Sequence, residues 1–299
     1  SEHEAEHVDI VVIGAGFSGM YALHRIRTQG THSVVAFETG DGVGGTWYWN
    51  RYPGARVDIQ SMEYSYGFDE DLQQEWTWPE LFSAQPDLER YANHVADRFG
   101  LRDLIRFGSR VNRVRWDADE RRWHVHTDNG HHAVATWVIS ATGSLDHANL
   151  PPWPGLDSFA GTWYHAAKYP KDAIDLTGKR VGIIGSGASG YQTTPVIAKI
   201  AAHTSLFQRT PSWCYATPGY IEPLADATVW VDLNVPFYVN FARFRMGRMY
   251  GPDLTLPSMM IDPDYDDPFA RSALNKAMRD SSRDSSEEHT TSAALCRRW

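Results

Sequence analysis

Apolar positions along the chain alternate between strand-like runs and helical spacing. Val8-Asp9-Ile10-Val11-Val12-Ile13 is a short β-branched run, the pattern of a buried parallel strand. It leads straight into Gly14-Ala15-Gly16-Phe17-Ser18-Gly19, after which Met20, Leu23 and Ile26 recur at helical spacing. Ser33-Val34-Val35-Ala36-Phe37-Glu38 predicts a second strand with an acid at its end, which completes a β-α-β unit. From Thr39 to about Tyr66 the chain is rich in Gly, Trp, Tyr and Arg without periodicity, and reads as a ligand-contacting loop region. Leu88 to Phe99 predicts a helix; Val111 to Trp116, Trp123 to His126 and Ala133 to Ile139 predict strands, the last two joined through the turn Asp128-Asn129-Gly130.

Leu150-Pro151-Pro152-Trp153-Pro154-Gly155 marks a candidate domain boundary. Beyond it the theme repeats: a strand at Arg180 to Ile184, then Gly185-Ser186-Gly187-Ala188-Ser189-Gly190, a helix, and a strand at Ser205 to Arg209. After Pro223 the pattern is mixed and reads as helical through Phe237 to Met249. From Arg279 onward few apolar residues remain, and a poorly ordered tail is expected.

Each GxGxxG follows a strand and precedes a helix. In that context the first glycine makes the tight turn, the second admits a pyrophosphate and the third lets helix and strand pack closely. The phosphate meets the free N–H groups and the positive dipole end at the helix N-terminus. Gly14, Gly16, Ser18 and Gly19 are thus candidates in the first loop; Gly185, Gly187, Ser189 and Gly190 are their counterparts in the second. From Gly14 to Glu38 is 24 positions, and from Gly185 to Arg209 is also 24. Glu38 can accept from free ribose hydroxyls, whereas Arg209 can pair with a 2′-phosphate, with Thr210 adding a hydroxyl. FAD is therefore expected in the first site and NADPH in the second. The fold expected is α/β, with two Rossmann-like dinucleotide-binding domains at 1–148 and 149–222. A partly helical insertion and a poorly ordered tail are expected at 223–299.

Composition narrows the partners. The net charge of −9 disfavours nucleic acid and anionic membrane, and no apolar run reaches membrane-span length. Cys214 and Cys296 lie far apart and form no CxxC, which argues against a disulfide framework or a zinc site and fits a cytoplasmic location. The 12 Trp, 14 Tyr and 12 Phe suit a flat ring ligand as well as ordinary packing. His124, His126, His131 and His132 cluster on the strands as exposed histidines rather than as a metal site, and no metal is expected. No HExxH, nucleophile elbow or Walker loop is present.

Three further stretches carry a family resemblance. Gly44-Gly45-Thr46-Trp47-Tyr48-Trp49-Asn50-Arg51-Tyr52-Pro53-Gly54-Ala55-Arg56-Val57-Asp58 resembles the signature GGxWxxxxYPGxxxD of the type I Baeyer–Villiger monooxygenases, which are class B flavoprotein monooxygenases. Phe159 to Pro170 is similar to their FxGxxxHxxxWP fingerprint, with Tyr169 in place of the usual Trp, and Phe207 to Trp213 is similar to their QRTPxW. Val235-Pro236-Phe237-Tyr238 and Phe241-Ala242-Arg243-Phe244 resemble the 4-hydroxyacetophenone monooxygenase branch. Tyr169 is also tolerated by the N- and S-oxygenating flavin monooxygenases, but their first signature lacks the run from Tyr52 to Asp58.

The resemblance implies that NADPH reduces FAD, and that the reduced flavin takes up O₂ as a C4a-peroxyflavin. One oxygen is then inserted beside a ketone carbonyl to give an ester or lactone. It implies cofactor contacts from Gly45, Thr46, Trp47, Arg56, Asp58, Tyr64 and Val111, and catalytic roles for Asp58 near the nicotinamide–flavin junction and for His165 as a hinge that couples NADP binding to domain motion. A turn-capping Asp58, a surface ion pair at Arg56, core packing at Tyr64 and Val111 and a loop-fixing His165 are the plain alternatives. Family members run to roughly twice this length, so a C-terminal part is expected to be missing. It would carry a Lys-Arg pair whose arginine serves the chemistry, and Arg297-Arg298 is not its equivalent. A completing chain or a homo-oligomer is the expected partner. An N- or S-oxygenase, or a cofactor-binding fragment without turnover, are the alternatives.

Overall fold

The computed structural model describes residues 5–145, 147–172, 174–210 and 219–249. In chain order the elements are β1 (Glu6–Ile13), α1 (Phe17–Gln29), β2 (Val34–Phe37), α2 (Thr46–Trp49), α3 (Glu70–Glu75), α4 (Gln85–Arg98), β3 (Ile105–Arg106), β4 (Val111–Asp117), β5 (Arg122–Thr127), β6 (His132–Ser140), β7 (Arg180–Ile184), α5 (Ala188–Ala198), β8 (His203–Phe207), α6 (Asp226–Asn234) and α7 (Tyr238–Met249). They form two compact units that interleave in sequence. Ser1–Arg51 with Gln85–Lys171 makes the first, and Tyr52–Ala84 with Asp172–Trp299 the second.

The first unit is built on a six-stranded sheet in the order β3-β2-β1-β6-β5-β4. β1 pairs in parallel with both β2 and β6, and β2 with β3; β4, β5 and β6 form an antiparallel meander. Val11 and Val12 are both fully buried, so the continuous apolar run of β1 serves two faces at once. On one face Val12, Ala36 and Ile105 pack against Met20 and Leu23 of α1 and against Ala92 and Ala96 of α4. On the other, Val11, Val35 and Phe37 join Val125, Ala133 and Ala135. In α4 the buried positions Leu88, Tyr91, Ala92, Val95 and Ala96 trace one helical stripe. Gly30 closes α1 in the left-handed region, its N–H donating to Ile26 C=O.

The second unit contains the parallel pair β7-β8, connected through α5. Its helices pack as α3 on α6 and α6 on α7, and Met62 with Val239 and Ala242 forms a small core. Asp69 caps α3 by accepting from Leu72 N–H, with Glu70 and Asp71 in the first turn.

The strand expected at Ser205 to Arg209 runs instead from His203 to Phe207. The parallel register Arg180↔His203 to Ile184↔Phe207 fixes both ends, and Arg209 lies two residues beyond. Helix α2 falls inside the stretch expected to be loop. Residues 211–218 and 250–299 lie outside the described residues, so Pro211 to Trp213 of the third stretch, both cysteines and the expected tail have no structural account.

Candidate nucleotide sites

In the first unit the chain leaves β1 through Gly14, whose φ of +101° only glycine adopts without strain. Its N–H donates to Phe37 C=O at 2.8 Å, which ties the turn to the end of β2. A side chain on Gly19 would place its Cβ 1.9 Å from Gly14 C=O, so the third glycine is required by the helix–turn contact itself. Gly16 caps α1 without a side-chain bond, and exposed Ser18 stands in the first turn. The Gly44-Gly45 stretch lies against this loop: Gly44 N–H donates to Ala15 C=O at 3.1 Å, and a Cβ on Gly45 would come within 2.9 Å of Gly16 Cα. Thr46 and Trp47 open α2, the first exposed and the second buried.

Glu38 is 5% exposed. Its carboxylate accepts from Ala15 N–H at 2.7 Å and from Gly40 N–H at 2.8 Å, so it braces the glycine loop from below. Two carboxylate oxygens offer about four acceptor positions, so capacity for ribose hydroxyls remains. Val111 begins β4 and packs on the core of the first unit. His165 Nδ1 accepts from Ala167 N–H at 3.2 Å and caps the short 3-10 turn Ala166–Lys168. That bond puts the proton of a neutral ring on Nε2.

The second unit repeats the loop. Gly185 has φ +100° and donates to Phe207 C=O at 2.9 Å, and a Cβ on Gly190 would sit 2.0 Å from Gly185 C=O. Gly187 is different. Its φ of −70° suits any residue, and among the described residues a Cβ there would meet nothing within 4 Å. Neither backbone strain nor protein packing demands glycine at this helix N-terminus. A glycine at this place leaves the backbone N–H groups of the helix N-terminus open to close approach. Ser189 stands half-buried in the first turn of α5.

The two strand–glycine loop–helix–strand segments correspond in strand pairing, with one change from the sequence count. Ile13 pairs with Phe37 and Ile184 with Phe207, and each loop's first glycine donates to that phenylalanine. The residue matching Glu38 is therefore Gln208, because the second crossover is one residue shorter. Gln208 Nε2 donates to Ser186 Oγ at 2.9 Å, where Glu38 instead accepts from the equivalent Ala15. A neutral amide replaces the acid, and Arg209 and Thr210 follow it, both exposed.

The Tyr52–Asp58 segment belongs to the second unit. Ala55 N–H donates to Tyr52 C=O across the Pro53-Gly54 turn, and Val57 N–H to Ser83 C=O. Arg56 is held by the protein: its guanidinium donates to Glu80 Oε2, Phe82 C=O and Tyr220 C=O at 3.1–3.2 Å and lies over the Tyr220 ring. Burial pushes the Tyr220 hydroxyl above its ordinary pKa. Asp58 is exposed, and Tyr64 is half-buried with its N–H on Gln60 and Ser61 carbonyls. Gln192, Glu80 and Tyr220 were not singled out from sequence, and Gln208 was read only as part of a motif. A polar residue on the inward face of α5 is the one signal that would have marked Gln192.

Among the described residues no three His, Cys, Asp or Glu side chains are grouped to hold a metal ion, and no helix is long and apolar enough to cross a membrane.

The sequence pattern of the flavin-binding monooxygenase-like family matches residues 7–220. The chain is 44% identical over 224 residues to 2-oxo-Delta(3)-4,5,5-trimethylcyclopentenylacetyl-CoA monooxygenase of Pseudomonas putida, covering 73% of this chain and 41% of that one. It is 39% identical over 221 residues to a Baeyer-Villiger monooxygenase of Pseudooceanicola batsensis, covering 74% and 40%. The NADP+-bound crystal structure of cyclohexanone monooxygenase from Rhodococcus sp. Phi1 is similar with a TM-score of 0.73 and 41% identity, over 77% of this chain and 43% of that one. The chain thus spans about two fifths of the length of these relatives. Two strand–glycine loop–helix units, a matched family pattern over most of the described residues and relatives well above 30% identity lead to one conclusion: the chain belongs to the flavin-binding monooxygenase-like family.

Proposed function

We propose that the protein is part of a Baeyer–Villiger monooxygenase that binds FAD at the Gly14–Gly19 loop and NADPH at the Gly185–Gly190 loop. Its substrates on this reading are a ketone and O₂, and its product an ester or lactone. The observation that carries the reading is the contrast at the two matched strand ends: a buried acid, Glu38, in one, and a neutral Gln208 followed by Arg209 and Thr210 in the other. An acid beside a 2′-phosphate would repel it, and an arginine pairs with it. The first unit would then be the FAD domain and the second the NADP domain.

The bound flavin supplies activation of O₂, and NADPH supplies the hydride. The chain's own residues bind and orient. Gly14, Gly16 and Gly19 bring the α1 N-terminus to one pyrophosphate, with Glu38 positioning the loop. Gly45, Thr46 and Trp47 line the same loop. Gly187 leaves room for the other pyrophosphate, with Ser189 beside it. Asp58 stands exposed beyond the fixed Arg56 and is the carboxylate available to a reacting centre, while Tyr64 and Val111 shape their own units. His165 fixes a loop turn and serves as a hinge. Two distant cysteines favour the cytoplasm. The exposed Ile184 and Phe207 on β7 and β8 favour a covering polypeptide, from a longer chain or a second one.

Incubation with NADPH, O₂ and either a ketone or a thioether tests this reading. Ester from the ketone is expected. Oxygenation of the thioether alone would replace the reading with an S-oxygenase.

A further inference from the structure

Gln192 lies on the inward face of α5, 9% exposed. Its Oε1 accepts from Tyr52 OH at 3.0 Å and from Arg56 N–H at 3.4 Å. Its Nε2 donates to Arg56 C=O at 3.1 Å and to Tyr220 OH at 3.3 Å. A primary amide has two donors and two acceptor positions, and all four are used. The orientation is unambiguous, because the flipped amide would set NH₂ against Arg56 N–H and oxygen against Arg56 C=O. Three of the four bonds go to the Tyr52–Arg56 segment.

Backbone contact reinforces the clamp. Gly54, at φ +83°, presses on α5 so closely that a Cβ would lie 2.4 Å from Gln192 C=O and 2.9 Å from Val196 Cγ2. Arg56 is fixed further by Glu80, Phe82 and Tyr220. Asp58 follows two residues later and is exposed. α5 begins at its N-cap Gly187, where the described residues leave room for a side chain. Gln192 is five residues further along one continuous helix, so a shift of the helix N-terminus reaches Gln192 with little loss.

We propose that Gln192 is a positioning residue that couples occupancy of the second glycine loop to the Tyr52–Asp58 segment, and so sets where Asp58 stands. This rests on the reading of that loop as the NADPH site. Gln192 touches neither nucleotide nor substrate in this role. It acts through Arg56 and Tyr52. A residue that merely filled the interior would change stability on replacement without altering how the segment responds to nucleotide.

Amide hydrogen exchange of the purified chain, with and without saturating NADP+, tests the coupling. In the unmodified protein NADP+ is expected to slow exchange about tenfold both at 185–190 and at the 55–58 amides. In Gln192→Met, which keeps the side-chain length without hydrogen bonds, slowing at 185–190 is expected to persist and slowing at 55–58 to disappear. Slowing at 185–190 alone in the unmodified protein overturns the coupling without touching the NADPH reading, and needs no variant to fold. Slowing at both places in Gln192→Met overturns it equally. Absence of slowing anywhere removes the NADPH reading and the coupling together.

Discussion

Gly187 and Gly190 stand three residues apart in one loop and are glycine for different reasons. Gly190 is forced by Gly185 C=O, 2.0 Å from where its Cβ would be, whereas Gly187 faces open space. Gly190→Ala is therefore expected to cost about 1–3 kcal/mol of stability, read as a lower urea midpoint. Gly187→Ala is expected to leave the midpoint nearly unchanged, within about 0.5 kcal/mol, while weakening NADP+ binding at least about tenfold. Unaltered NADP+ binding in Gly187→Ala would remove the phosphate from this loop. At the far end of the same unit, Arg209→Ala is expected to lose about 1.5–3 kcal/mol of NADPH affinity, roughly 10–100-fold, with little change for NADH. Gln208→Glu restores the acid found at Glu38 and is expected to turn the preference towards NADH. Titration of both dinucleotides into both variants checks this, and equal losses would sink the assignment. Sequence counting placed Arg209 opposite Glu38; hydrogen bonding places Gln208 there, because a crossover shorter by one residue is invisible to a count from the glycines.

At the scale of elements, the strands and helices with strong periodicity were legible. The β1 run, the α1 spacing, the α4 stripe and the β4–β6 meander all stand where the apolar pattern put them. What was not legible was held by tertiary contact: α2 sits under the first glycine loop in a stretch without periodicity, and β8 takes its ends from its pairing with β7. Among the candidate residues, Gly14, Gly19, Gly185 and Gly190 were legible as turn and packing glycines, and Glu38 as an acid at a strand end. Gln192 was not, because nothing in the residue type reveals four satisfied bonds. Two places carry a pH signature. On β5 and β6, His124 Nδ1 lies 3.1 Å from His132 Nε2, and the His126 ring stacks on His132 at 4.2 Å. Burial first, then Arg113 and His124, holds His126 below the ordinary value of 6.5, and burial first, then His126 and His124, holds His132 below it. The folded state therefore binds fewer protons than the unfolded one, and this stability is complete above about pH 6.5 and lost as pH falls below it. His126→Asn is expected to flatten the fall in melting temperature between about pH 7 and 5. In α6, burial raises Asp232 from 3.8 to about 6, and among the described residues its Oδ1 has no hydrogen-bond partner. Its contribution has the opposite sign: complete below the unfolded value of 3.8 and lost as pH rises through about 6. Asp232→Asn is expected to raise the melting temperature at pH 8 and not at pH 5; a uniform change at both would show that ionisation is not involved.

At the scale of the whole molecule, we propose one dinucleotide for each compact unit, held by that unit's own glycine loop, strand end and helix. The second unit leaves Ile184 at 62% and Phe207 at 59% exposure on its two-stranded parallel sheet, surface that a sheet of this kind normally buries. Covering it with further polypeptide is expected to raise solubility, read as the concentration at which the purified chain precipitates with and without the added segment. The claim beneath every proposal is that this chain carries two separate dinucleotide sites of different kind. Calorimetric titration of FAD and then NADP+ into the purified chain tests it most directly. The expected result is two non-competing sites, one for each, with Arg209→Ala weakening NADP+ binding roughly 10–100-fold and leaving FAD binding intact. Competition of the two dinucleotides for a single site, or loss of both heats in Arg209→Ala with the fold intact, would contradict it.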